Sequence, residues 1–213
     1  MVERLNDPTE MLSDGDAVLD DAHAPTRLAV PRMTAEQFDA FARRPENADR
    51  ILQWIDGEIY EMPSNAYASW IASRINKFLS IYVDEHQLGF VTGEAGGYQV
   101  GGNRYAPDVA FISFARSPEL AAEGYHPVAP DLAVEVDHPP SMTSAQLLTI
   151  KVTGYLLAGT TVWIIRPALR TVEVYTPGAP ARLLGLEDTL DGGAVLPGFT
   201  LPVRAIFAAP PRP

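Results

Sequence analysis

The sequence contains no cysteine among its 213 residues. That excludes a disulfide framework, a thiolate zinc site and a cysteine nucleophile. No apolar run approaches the roughly 18 residues that a membrane-spanning helix needs. The opening stretch, MVERLNDPTEMLSDGDAV, lacks the basic-then-apolar order of a secretory leader. A cytoplasmic protein with no membrane segment is the expectation. Cations are also scarce: 16 Lys and Arg stand against 27 Asp and Glu, for a net charge of -11. This balance argues against coating nucleic acid through bulk charge, because phosphate recognition draws on Lys and Arg. It leaves open a carboxylate-rich site that takes up divalent metal, since such sites are acidic until the ion arrives. There is no G-x-S-x-G nucleophile elbow and no P-loop, and GEAGGYQVGG lacks the spacing of a dinucleotide fingerprint.

What is present reads as one α/β domain with short polar ends. Residues 1–30 are acidic and proline-bearing, with little apolar periodicity, and are expected to be a flexible tail. The domain is expected over 31–208, with folded structure beginning at Met33, and 209–213 as a second short tail. Thr34 and Gln37 have the spacing of a capping box and predict a short helix that ends near Pro45. Asp56-Gly57 between two apolar stretches predicts a tight hairpin. From Asn65 to about Glu85, apolar residues recur with helical period, and Gly89 is the expected stop. Strands are expected between Phe90 and Ser113 and in DLAVEVD. A helix should run from about Thr143 to Leu157 and end at Gly159. TTVWIIRP is nearly all apolar and reads as a central strand, with Arg170 to Tyr175 as its hairpin partner. This order predicts a mixed sheet with helices on its faces.

One strand carries an anomaly. In DLAVEVD, alternation sends Leu132, Val134 and Val136 to one face and Ala133, Glu135 and Asp137 to the other. A charged Glu in a buried strand is costly unless it is paired or bound to metal. In APDVAFIS, Asp108 shares a face with Ala110 and Ile112. If the two strands pair, Asp108 and Glu135 converge, and a divalent cation would remove their repulsion. Oxygen-only ligands favour Mg²⁺ or Mn²⁺, which can activate water and shield a phosphodiester. Lys151 lies one helical turn before Tyr155 on the next helix and could orient the water or stabilise the phosphorane. Glu58 is a fourth candidate, as an extra metal or water ligand. His138 could serve as a base or ligand beside Asp137, or be a loop residue. Each of the four main candidates also has an ordinary reading: a turn cap for Asp108, an ion pair for Glu135, a solvated lysine for Lys151 and a hairpin residue for Glu58.

Longer stretches carry a resemblance. DGEIYEM (56–62), RYAPDVAFIS (104–113), PDLAVEV (130–136), KVTGYLLAGTTVWIIRP (151–167) and LDGGAVLPGFTLPV (190–203) are similar, in order, to the Uma-type family of restriction endonucleases within the PD-(D/E)XK nuclease superfamily. The resemblance implies a restriction-endonuclease-like mixed sheet flanked by helices, and a metal-dependent endonuclease that hydrolyses DNA phosphodiesters. It implies Asp108 and Glu135 as metal ligands, Lys151 as the lysine moved from strand to helix, and Glu58 as an accessory acid. The chain departs from the pattern at several places, among them Asp137-His138-Pro139 where the family commonly has an apolar residue and Ser-Pro, and a helix before Lys151 that lacks the acidic and basic residues relatives tend to have. Asp137 stands where the superfamily usually has its lysine, and Ala68 where the family often has histidine. The alternative is an inactive nuclease fold that serves as a binding or regulatory module. Apolar strands and C-terminal hairpins would also suit a homodimer.

Overall fold

The computed structural model describes residues 24–63, 65–137 and 141–209. Residues 1–23, His138 and the last four residues lie outside that set, so the predicted tails are described only at their inner edges. Strand pairing begins earlier than Met33: β1 (Thr26–Arg27) joins β3. α1 (Ala35–Ala42) follows, and the predicted capping box is formed by Thr34 and Gln37 in both directions.

β2 (Leu52–Ile55) and β3 (Glu58–Glu61) form the expected hairpin, with Ile55 opposite Glu58 across the two-residue turn. Asp56 and Gly57 have φ of 49° and 88°, the doubly left-handed turn whose twist matches the strands it joins. α2 (Ala66–His86) is capped by the Asn65 side chain, which accepts from the Ala68 N–H. It ends at His86, close to the predicted end, but the stop is Gln87 rather than Gly89, because Gln87 itself turns left-handed at φ 52°. Gly89 instead opens β4 (Gly89–Gly93), where a Cβ would overlap the carbonyl oxygen of Ile112.

β5 (Tyr98–Val100), β6 (Asn103–Tyr105), β7 (Val109–Ser113) and β8 (Leu132–Val136) lead into α3 (Met142–Leu157), whose N-terminus is boxed by Ser141 and Ser144. Then come β9 (Thr161–Arg166), β10 (Thr171–Tyr175), β11 (Arg182–Leu184), β12 (Thr189–Asp191), β13 (Thr200–Pro202) and α4 (Val203–Phe207). Among the described residues, no helix is long and apolar enough to cross a membrane.

The strands divide between two main sheets. Six order as β11-β10-β9-β8-β7-β4, five as β1-β3-β2-β6-β5, and β12 pairs with β13. Among the described strands, only β8 and β9 pair in parallel, and α3 is the crossover that this requires. β9 is interior, as its apolar sequence predicts. Alternation along the six-stranded sheet separates two cores. Val109, Phe111, Leu132 and Val134 pack with Ile71, Ile75 and Leu79 of α2. Ala110, Ile112 and Ala133 face Leu147, Val152 and Tyr155 of α3, together with Ile55 and Tyr105 of the smaller sheet. Each such Leu or Ile contributes about 1.5–3 kcal/mol by leaving water. The α3 side is the face that alternation assigns to Glu135.

Candidate active site

β7 and β8 pair antiparallel, with Val109 opposite Val134 and Ala110 opposite Ala133. One more step in that register sets Asp108 beside Glu135. β4 and β7 pair with Gly93 opposite Val109, and one more step sets Glu94 beside Asp108. Three carboxylates therefore stand abreast on adjacent strands. Like charges directly opposite on a sheet are destabilising, so this row needs an explanation.

Lys151 supplies part of it. α3 carries its side chain over the sheet into a buried position, and Nζ donates to Glu135 Oε2 at 2.6 Å. One turn on, the Tyr155 hydroxyl donates to Glu135 Oε1 at 3.2 Å. Both oxygens of Glu135 are thus held by one helix face. Asp108 takes a different partner: its Oδ2 accepts from the Val136 backbone N–H at 2.6 Å. Burial holds the Glu135 carboxyl above its ordinary range, opposed by Lys151 and the Tyr155 hydroxyl. Burial, and then the charge of Glu135, push Asp108 from 3.8 up to about 7, against the Val136 N–H and Lys151; Glu94 adds a smaller push. Tyr155 is pushed well above its usual range, by burial first and by Glu135 next.

Asp108, Glu135 and Lys151 line one cavity of about 100 Å³, with Gln53, Glu94, Asp137 and Ser144 among the other walls. A larger cavity of about 490 Å³ shares Ile51, Glu94 and Ala106 with it. The larger one is lined by neither Asp108 nor Glu135, so the candidate residues gather at the smaller space. Among the described residues, no three His, Cys, Asp or Glu side chains are grouped so as to hold a metal ion.

The structure thus brings together three of the four side chains singled out from sequence. Glu58 is the exception. It lies on β3 in the other sheet, bonded to Arg27, Arg32 and Tyr60, and lines a separate cavity with those arginines. The Tyr60 hydroxyl bond first, then Arg32 and Arg27, hold it below the usual carboxylate range. Glu58 stands opposite Ile55 at the turn end of the hairpin, where Arg27, Arg32 and Tyr60 take up its carboxylate, so it is not among the residues that line the cavity of Asp108 and Glu135, where the sequence expectation had placed it. Asp137 is buried and pairs with Arg166, while the Ser144 hydroxyl donates to it at 3.1 Å. Arg166 in turn bonds Glu173. Asp137 is thereby committed to a structural ion pair on the cavity wall.

Two residues of the cavity escaped the sequence reading. Gln53 is a polar side chain in the apolar strand ILQWI, the same kind of anomaly that marked Glu135. Glu94 follows the last residue of β4 and becomes relevant only once the register of β4 against β7 is known.

Comparison with known proteins adds to this geometry. No curated protein matches the chain. A solved structure from Anabaena variabilis ATCC 29413, described as a "putative nuclease belonging to DUF820", superposes with a TM-score of 0.67 at 22% identity, over 82% of this chain and 97% of that one. At that identity the likeness is one of fold. The profile of the family described as "Uma2: Putative restriction endonuclease" matches residues 35–204, which include every strand from β2 to β13. The chain belongs to the Uma2 family.

Proposed function

We propose that this chain is a nuclease that hydrolyses phosphodiester bonds of DNA, using Asp108, Glu135 and Lys151 with Mg²⁺ or Mn²⁺ as cofactor. The observation that carries the reading is the register of two partly or fully buried carboxylates with a single lysine between sheet and helix. The family description and the nuclease fold of the Anabaena protein support it.

The donor set fits such a cation. It is oxygen-only, and Mg²⁺ is typically held by one or two carboxylates while keeping several waters. The carboxylates of Asp108, Glu94 and Glu135 outnumber the one lysine among them, an imbalance that a divalent ion removes. When bound, the ion would supply an activated water and shield the phosphodiester. Asp108 and Glu135 would hold it in their ionised forms, any proton on Asp108 being released to solvent as the ion binds. Lys151 Nζ, already at Glu135, would hold the attacking water or offset charge on the phosphorane. Tyr155 would keep Glu135 turned toward the cavity.

The test is cleavage of plasmid and oligonucleotide DNA with Mn²⁺, Mg²⁺ or chelator. Asp108→Asn and Glu135→Gln, folded by circular dichroism, are expected to lose cleavage by a factor of about 10² or more, the scale on which removing one preorganised electrostatic group acts. Full activity in either variant, or undiminished cleavage in chelator, would overturn the assignment. One observation favours a second reading, a non-catalytic module: Lys151 and Glu135 are already bonded to each other. That reading expects no cleavage with any metal and no heat of Mn²⁺ binding.

A further inference from the structure

We propose that Gln53, through its side-chain amide oxygen, is the third protein ligand of the cation held by Asp108 and Glu135. The inference rests on the metal-dependent reading above and adds a residue to the same site.

Gln53 lies at the centre of β2 and is almost completely buried, 1% exposed. Its neighbours show why this is unusual. Leu52 packs in the small core with Phe38 and Ile59, while Ile55, on the same side as Gln53, packs in the core beneath α3. Gln53 therefore projects into the α3 side, where an amide is costly unless both of its ends are bonded. Only one end is. Nε2 donates to the Ala106 carbonyl at 3.3 Å, whereas Oε1 is buried with no hydrogen-bond partner. The Nε2 bond also settles which prong is oxygen, because a carbonyl can only accept.

That bond has a second consequence. Ala106 is two residues before Asp108, so the Gln53 amide is fastened to the segment that delivers the carboxylate. Gln53, Asp108 and Glu135 then line the same cavity of about 100 Å³. Side-chain amide oxygens are ordinary ligands for hard cations. The charge balance favours a neutral donor here. Glu94, Asp108 and Glu135 already face one lysine, and a fourth carboxylate would add repulsion in the metal-free protein.

Mn²⁺ titration calorimetry, with melting temperature measured with and without Mn²⁺, separates the roles. The proteins compared are wild type, Asp108→Asn, Gln53→Met and Gln53→Glu. The expected result is Mn²⁺ binding by wild type that is lost in Asp108→Asn. Gln53→Met should bind about tenfold or more weakly, the scale on which a supporting group of a metal site acts. Its metal-free melting temperature should stay near that of wild type, since the unmet acceptor is lost together with the bond to the Ala106 carbonyl. Gln53→Glu should bind more tightly while melting lower without metal. Wild-type affinity in Gln53→Met overturns this inference and leaves the carboxylate pair standing. Weaker binding by Gln53→Glu also overturns it, because it would mean that Gln53 serves only to bond Ala106. If Gln53→Met does not fold, the sign of the Gln53→Glu change decides. Absence of any Mn²⁺ response in wild type overturns both this inference and the reading on which it rests.

Discussion

Replacing Asp108 by Asn should stabilise the metal-free protein, by an amount that grows as pH rises from 3.8 to about 7 and is constant above it. Burial and Glu135 raise the Asp108 carboxyl from 3.8 to about 7. Each pKa unit corresponds to about 1.4 kcal/mol between protonation states, so about three units correspond to about 4 kcal/mol. Asp108 retains partial access through the cavity, so screening lowers this to about 2–4 kcal/mol. The sign follows from which form the fold favours. A raised pKa means that the folded state binds the proton more tightly, so the stability tied to that proton is complete below pH 3.8. It is lost as pH rises through about 7, above which both states are ionised and the full cost remains. Asn cannot ionise, and its amide oxygen can still accept from the Val136 N–H. Urea unfolding in chelator should find the variant more stable by about 2–4 kcal/mol at pH 8, or on the order of 5–15 °C in melting temperature. At pH 4 the two proteins should be nearly equal. A stability gap independent of pH, or a variant weaker than wild type at pH 8, would refute the electrostatic account.

Lys151→Met should be strongly destabilising at pH 8, by about 3–5 kcal/mol, because it leaves Glu135 buried without its cation. The loss should shrink as pH falls and Glu135, held above its ordinary range by burial, takes up a proton, and Glu135→Gln in the same chain should recover much of it; urea titrations across the acid range check both. Glu58→Gln should leave DNA cleavage and Mn²⁺ affinity unchanged, since that side chain lines a separate cavity; a large drop in either would restore it to the site. Gly89→Ala should cost about 1–3 kcal/mol or more by overpacking against Ile112, measured as a lower urea midpoint.

Local chemistry was legible in the sequence wherever it was settled within a few residues. Thr34 with Gln37 and Asp56 with Gly57 formed the cap and the turn that their spacing predicts. Alternation also assigned the faces of β7 and β8 correctly, since these depend only on period two. Nonlocal pairing was not legible. Thr26 and Arg27 look like a polar tail until β3 offers them an edge. Gly89 reads as a helix stop, because its real constraint is a backbone 23 positions away at Ile112. Glu58 sits in the hairpin where it was expected, but a turn does not reveal that Arg27, Arg32 and Tyr60 will take up its carboxylate.

The site follows the same division. Glu135 was visible because a charge in an apolar strand breaks a local rule, and Gln53 breaks that rule too. Glu94 breaks none: it ends a short strand beside glycines, and only the register of three strands turns it into the neighbour of Asp108. This row of acids ties stability to ligand. Without a cation, the fold holds carboxylates side by side and keeps Asp108 most stable when protonated; with one, the same side chains must ionise to bind. A divalent ion at this position would therefore release protons and raise stability together, by an amount that grows with its concentration. On the proposed reading, the arrangement that weakens the empty protein is the one that selects the ion, because a well-paired site would leave it nothing to neutralise.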